Sequence, residues 1–277
     1  MTPRTALPDP FDGLVVAADI VPTRLGQVVV EKLTQAILDE RLKPGDALPS
    51  EGRIAMAFGI SKQIVREAIR DLATLGVVQI QQGKVARVRS LDAEPLGRLF
   101  RFAVRGSKQG LAEAVEMRQL LEPPIARLAA LRRKPEDIAK LRAVLARMQA
   151  ALQDIPAWIE ADLDFHETLA DLSGNRLLRL QLRGLRPILR EVMELFNARR
   201  RRVDPEWRAT YRRHVAVAEA VEAGDAGAAF QAMLHHFDAA QDAIREIFPR
   251  DAAEPALRPP AGPTDGLRDG APAPSKT

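Results

Sequence analysis

The chain has 277 residues, 46% of them apolar, which is enough for about two domains with cores of their own. It contains no cysteine, excluding disulfides and thiolate metal sites, and no apolar run near the roughly 20 residues that a membrane span needs. Aromatics at 4% and the lack of a cationic, apolar-cored leader suit a helix-rich cytoplasmic protein with no membrane partner.

The net charge of +4 is unevenly placed. Residues 24–90 hold 11 Lys or Arg against 7 Asp or Glu, whereas the rest of the chain balances at 30 against 30. A local cationic excess fits a phosphate-bearing partner, although charge alone equally fits a solvated surface.

Residues 1–23 show no apolar period and read as a disordered arm. Leu25, Val29, Leu33 and Ile37 then step at helical spacing towards Leu42, with Pro44-Gly45 beyond. Pro49-Ser50 opens a short helix from Glu51 to Ala57 that stops at Gly59. Ser61 stands at the N-cap of a third helix. On that helix Ile64, Val65, Ala68, Ile69, Leu72 and Leu75 face inward. Lys62, Gln63, Arg66 and Arg70 face outward, the side-chain types that reach phosphates and base edges from a recognition helix. Gly76 ends the helix, and Val77 to Ile80 and Val85 to Val88 read as two strands joined through Gln81-Gln82-Gly83-Lys84.

This stretch resembles the winged-helix DNA-binding domain of GntR-type bacterial regulators. The likeness rests on Leu42-Lys43-Pro44-Gly45, Leu48-Pro49-Ser50-Glu51, Ser61, Val65-Arg66-Glu67-Ala68, Leu72, Leu75-Gly76 and Gly83-Lys84, roughly residues 25–89. It implies a winged helix-turn-helix over residues 24–90 that binds a double-stranded operator. The candidate contacts are Ser50, Arg53, Ser61, Lys62, Gln63, Arg66, Arg70, Gly83 and Lys84. Gly52-Arg53 replaces the usual Arg-Glu, Lys62 a usual arginine, and Val85 a usual wing glycine, so the operator sequence does not carry over.

Residues 91–107 form a linker in which Leu96, Leu99, Phe100 and Ala103 suggest a short helix. From residue 108 to 249 the pattern is helical, cut into six helices at Lys134-Pro135, Asp154-Ile155-Pro156, Ser173-Gly174, Val203-Asp204-Pro205 and Gly224-Asp225. Short connections predict an antiparallel all-α bundle, making the whole chain mainly α. Residues 250–277 read as a disordered tail. The cations from Arg199 to Arg202 fit a solvated helix end or a contact with DNA or a second subunit.

The chain's 4 histidines all lie in the helical region. His166 follows Asp162 at i+4 on a face shared with Trp158, Phe165 and Leu169. His214 lies on a stripe with Trp207, Tyr211, Val217 and Val221. His236 is grouped with Ala229, Ala232, Met233 and Ala240, while His235 falls on a polar side. Because His214 is 10 residues before Gly224 and His236 is 12 after it, the two reach nearly one height on adjacent helices. Three imidazoles and a carboxylate at one level suit a first-row transition metal, and spacing alone leaves open the alternative of hydrogen-bonded core histidines.

The same residues are similar to the FCD-type effector domain of FadR-like GntR regulators, in which an Asp and three His bind a divalent metal. The likeness rests on Asp162-Leu163-Asp164-Phe165-His166, Arg213-His214-Val215 before Glu222-Ala223-Gly224-Asp225, and Met233-Leu234-His235-His236-Phe237. Glu116-Met117-Arg118 with Leu121-Glu122-Pro123 resembles that domain's first helix. The resemblance implies Asp162, His166, His214 and His236 as ligands of zinc, with nickel, manganese or iron as alternatives. It also implies a homodimer and a repressor. A +2 ion held by one carboxylate favours a small carboxylate effector, with Arg118 as a second anchor and Asn175 either in the pocket or capping its helix. The alternatives are a metal-free regulator sensing a long acyl effector and a metal-dependent enzyme. The enzyme reading has only Asp164 or Glu167 as a general base.

Overall fold

A computed structural model describes residues 22–104, 107–199 and 204–247. The expectations for residues 1–21, for the side chains of Arg199 to Arg202 and for residues 250–277 fall outside the described residues. Those described form ten helices and one two-stranded hairpin, around two separate apolar cores. None of these helices is long and apolar enough to cross a membrane.

The first core is shared by α1 (Pro22–Leu38), α2 (Glu51–Phe58) and α3 (Lys62–Thr74). Val29 and Leu33 from α1, Ile54 and Phe58 from α2, and Val65 and Leu72 from α3 fill it, each stabilising the unit by about 1.5–3 kcal/mol on burial. Serine caps set both entry points: Ser50 Oγ accepts from Arg53 N at 3.2 Å and Ser61 Oγ from Ile64 N at 3.3 Å. Gly59 in the left-handed region closes α2 two residues before the α3 cap ends, giving the tight turn between them.

Two local expectations are corrected. The first helix ends at Leu38 rather than near Leu42, because Glu40 takes φ 57 and Leu42 N folds back to donate to Ala36 O at 3.0 Å. Leu42 is therefore buried as part of a turn, not of a helix stripe. The wing strands shrink to β1 (Val78–Gln79) and β2 (Arg87–Val88), paired antiparallel with Val78 opposite Val88. Those two valines are buried in the core and Val77 and Ala86 pack against it, while Ile80 and Val85 are left exposed with no layer to cover them. Ala47 bridges to Arg87, extending the hairpin on its outer edge.

The linker is helical as α4 (Glu94–Val104), and it packs on α8 (Arg176–Arg199) through glycines. A Cβ on Gly97 would lie 3.2 Å from Gly184 O, and one on Gly184 would lie 3.0 Å from Leu96 Cγ. The two helices can approach only because both positions lack a side chain. The remaining helices are α5 (Lys108–Arg132), α6 (Pro135–Ala150), α7 (Ile155–Leu172), α9 (Asp204–Ala223) and α10 (Ala226–Ile247). Helix α5 packs against α7, α8, α9 and α10, so its inner stripe runs through the middle of the bundle. Gly224, at φ 77, makes the α9–α10 turn, and Arg133 closes over it by donating from Nε to Glu222 O at 2.8 Å.

Candidate metal centre and DNA-facing groove

Helix α7 carries Asp162 and His166 one turn apart, α9 carries His214, and α10 carries His236. Their ring centroids lie 5.4 Å apart for His166 and His214, 5.2 Å for His166 and His236, and 4.4 Å for His214 and His236. One ligand atom from each of the three lies within 4.8 Å of the others, a cluster consistent with a metal site. Apolar rings wall it: Phe165 meets His214 edge-on at 4.9 Å, and Trp158 meets Trp207 at 5.1 Å. His235 is exposed, as its polar neighbours predict.

Hydrogen bonding at His214 carries more information than proximity. Its Nδ1 lies 2.9 Å from Thr210 O, and a carbonyl can only accept, so the Nδ1 proton is fixed there. In the neutral ring Nε2 is then a lone pair, yet it sits 3.0 Å from Asp162 Oδ1 with no hydrogen-bond partner and out of reach of solvent. Two buried acceptors at that distance need positive charge between them. A proton on the ring would supply it. So would an ion shared by the two, because donor atoms about 2.0–2.2 Å from one metal span about this separation. His166 Nε2 and His236 Nδ1 are also buried without hydrogen-bond partners. The donor set and its orphaned atoms fit a divalent transition metal.

Two residues of α5 complete the site. Arg118 and Glu122 are 7% and 1% exposed. Glu122 contacts Arg118 Nε through one oxygen and His166 Nδ1 through the other. Arg118 also reaches Asp162 Oδ2 at 3.5 Å and stacks over Phe237 at 5.5 Å. Burial works against ionisation of Asp162, but His214, His166 and Arg118 outweigh it and hold the carboxyl well below its usual range. Glu122 is likewise lowered, with burial overcome by Arg118 and His166. Arg118 is therefore an internal counter-cation in this packing, with Nη2 still lacking a hydrogen bond. Asn175 turns its Oδ1 to Leu177 N and Leu178 N, at 3.0 and 3.3 Å, and caps α8. A cavity of about 10 Å³ adjoins His166, bounded by Arg118, Leu182, Arg186 and Leu189 among others.

At the other end of the chain a groove of about 850 Å³ runs between α3 and the wing. It gathers Ser50, Lys62, Arg66, Arg70, Gly83 and Lys84; Arg53, Ser61 and Gln63 lie outside its lining. Glu51, not among the candidate contacts, grips Arg66 with both oxygens, at 3.2 Å to Nε and 2.8 Å to Nη2. Gln63 and Arg70 both donate to Glu67, each at 2.8 Å. A Cβ on Gly52 would come 3.3 Å from Lys62 Cε, so the lysine stem lies over the place of the missing side chain.

A helix-turn-helix with a cationic groove, joined to an all-α bundle, is the plan of a DNA-binding transcription regulator. The chain belongs to the gntR family of bacterial regulatory proteins, in the FadR-like branch. The family model for bacterial regulatory proteins, gntR family, matches residues 25–88, and the FCD domain model matches residues 113–239. The chain is 30% identical to the HTH-type transcriptional regulator LutR of Bacillus subtilis (strain 168), over 76% of its own length and 97% of the relative. It is 29% identical to the HTH-type transcriptional repressor NanR of Enterobacter sp. (strain 638), over 78% of its own length and 83% of the relative. The solved structure of Streptococcus agalactiae GntR shares the fold, with TM-score 0.63 and 24% identity over 78% of this chain and 99% of that one.

Proposed function

We propose that the chain is a repressor whose hold on a duplex operator is set by a small carboxylate bound at a divalent metal in the helical domain. The observation that carries the metal reading is the cluster of His166, His214 and His236, one ligand atom from each within 4.8 Å of the others, with Asp162 Oδ1 3.0 Å from His214 Nε2. Asp162, His166, His214 and His236 would hold the ion, zinc first among the candidates given three imidazoles and one carboxylate. When bound, the metal would supply a Lewis-acidic centre for an effector oxygen.

Charge selects the effector class. Asp162 and Glu122 each bring one negative charge and Arg118 one positive, beside imidazoles that are neutral as ligands. A +2 ion leaves this buried cluster with one excess positive charge, which a single carboxylate neutralises. The cavity of about 10 Å³ holds roughly one water. A compact acid enters by displacing side chains there, whereas a long acyl chain would require the bundle to open. Catalysis is disfavoured further, because Asp164 is tied to Arg147 and Arg186 at 2.7 and 2.9 Å, and Glu167 to Arg186 at 2.7 Å. Effector binding would favour one packing of the helical domain and so reset the spacing of two winged domains in a homodimer.

Untagged protein, reloaded and desalted, should retain about one equivalent of divalent metal per chain. Small hydroxy- and dicarboxylates should then raise its melting temperature, and chelation should abolish the gain. Retention of less than about a tenth of an equivalent would overturn the metal reading.

At the DNA end, Ser50, Arg53, Ser61, Lys62, Gln63, Arg66, Arg70, Gly83 and Lys84 remain the proposed contacts, with Glu51 setting the direction of Arg66. Arg66→Ala should weaken operator binding by about 1–3 kcal/mol if the guanidinium reads a base. Fluorescence anisotropy against operator and scrambled duplexes checks this, and an unchanged preference for operator would remove Arg66 from the reading set.

A further inference from the structure

We infer that Glu122 is a positioning residue of the metal centre: its carboxylate, anchored by Arg118, sits against His166 Nδ1 and so turns Nε2 toward the metal. This rests on the metal reading above and adds to it a residue outside the ligand set.

The three groups form a chain from α5 to α7. Arg118 Nε meets one oxygen of Glu122, and the other oxygen meets His166 Nδ1. Neither His166 Nδ1 nor that Glu122 oxygen has a hydrogen-bond partner elsewhere, and an ionised carboxylate only accepts, so this contact places the imidazole proton on Nδ1 and leaves Nε2 as the lone pair. His166 Nε2 is the atom on the Asp162 side, 3.8 Å from Oδ2, and it has no hydrogen-bond partner. His214 is treated the same way by a different group, since Thr210 O takes its Nδ1 and leaves Nε2 beside Asp162. Two histidines on two helices thus have their tautomers set by acceptors on the far side of each ring, the arrangement that orients metal-bound imidazoles.

A merely structural account of Glu122 is weak. A carboxylate 1% exposed on the inner stripe of α5 costs desolvation that a leucine would not, and buried ion pairs seldom repay it in stability. Anchoring by Arg118 keeps the carboxylate ionised, which is the form that can accept from His166.

The test compares wild type, Glu122→Gln and His166→Ala in the full-length protein. Zinc affinity is read by competition with a chromophoric chelator, and imidazole tautomers by long-range proton–nitrogen correlation spectra of the metal-free protein. In the wild type His166 should carry its proton on Nδ1. In Glu122→Gln the amide can donate as well as accept, so that tautomer should lose its dominance and zinc affinity should fall by about 10- to 100-fold with the helical circular dichroism retained. His166→Ala should lose more. A wild type with the His166 proton on Nε2 overturns the inference even if the glutamine variant fails to fold. Wild-type tautomer and affinity in a folded Glu122→Gln overturn it while leaving the metal reading intact. A wild type that takes up no zinc removes the metal reading and this inference together.

Discussion

Replacing Arg118 with methionine is expected to destabilise the metal-free protein by about 3–5 kcal/mol, because it strands two buried carboxylates that share one cation. Arg118 touches Glu122 directly and lies 3.5 Å from Asp162, and all three are nearly out of contact with water. Methionine fills much the same volume, so the loss reports charge rather than a cavity. Urea unfolding of the helical domain measures it, in metal-free and zinc-loaded protein. Zinc should return part of the loss, since a +2 ion beside Asp162 takes over some of the neutralisation. With no arginine beside it Glu122 loses the largest influence that lowers its carboxyl, so that group's share of the acid sensitivity should shrink. A variant as stable as the wild type would mean that Asp162 and Glu122 are not held ionised by Arg118.

Helix existence and order were legible because the apolar period is strong and the breaks carry proline or glycine. Pro156 and Pro205 mark starts, while Gly76 and Gly224 mark stops at φ 77. The histidine cluster was legible for a geometric reason: rise per residue converts the distance from Gly224 into height along a helix. Less legible is which way a side chain points between helices. Arg118 and Glu122 share an inner stripe with Leu111, Val115, Ile125 and Ala129, so their burial was readable from spacing once α5 was taken as the central helix. Read singly, Arg118 looks like either a surface cation or a ligand anchor; its direct partner Glu122 is one turn on in α5, and its reach to Asp162 is what crosses to α7. The grip of Glu51 on Arg66 likewise joins residues 15 apart on two helices. The wing strands are shorter than the sequence predicts because the apolar pattern continues to Ile80 and from Val85, where no second layer exists to reward it.

The metal-free protein should lose stability steadily as the pH falls from 7 towards 5, and the four-residue cluster sets the sign. Burial, aided by Arg118, lowers the pKa of His166 below its ordinary 6.5. Burial, aided by the neighbouring His214 and His166, lowers that of His236 much further. Below pH 6.5 the unfolded chain protonates both rings while the folded one resists, so unfolding takes up protons. Each such histidine costs up to about 1.4 kcal/mol per pH unit until its folded pKa is reached. Asp162 and Glu122 act in the same direction at lower pH. Their stabilisation is complete above the unfolded values of 3.8 and 4.5 and is lost as the pH drops through their depressed folded values. Acid should weaken zinc binding over the upper window as well, since protons and metal compete for the same ring nitrogens. Urea unfolding of metal-free protein at half-unit intervals checks the slope, and His236→Gln should flatten it by removing the ring with the larger depression. A folding free energy that stays level between pH 7 and 5.5 would mean that these imidazoles are as open to water as those of the unfolded chain. In that case the centre would be a solvated cleft rather than the dry, pre-oriented ligand set on which metal binding and effector selection both depend.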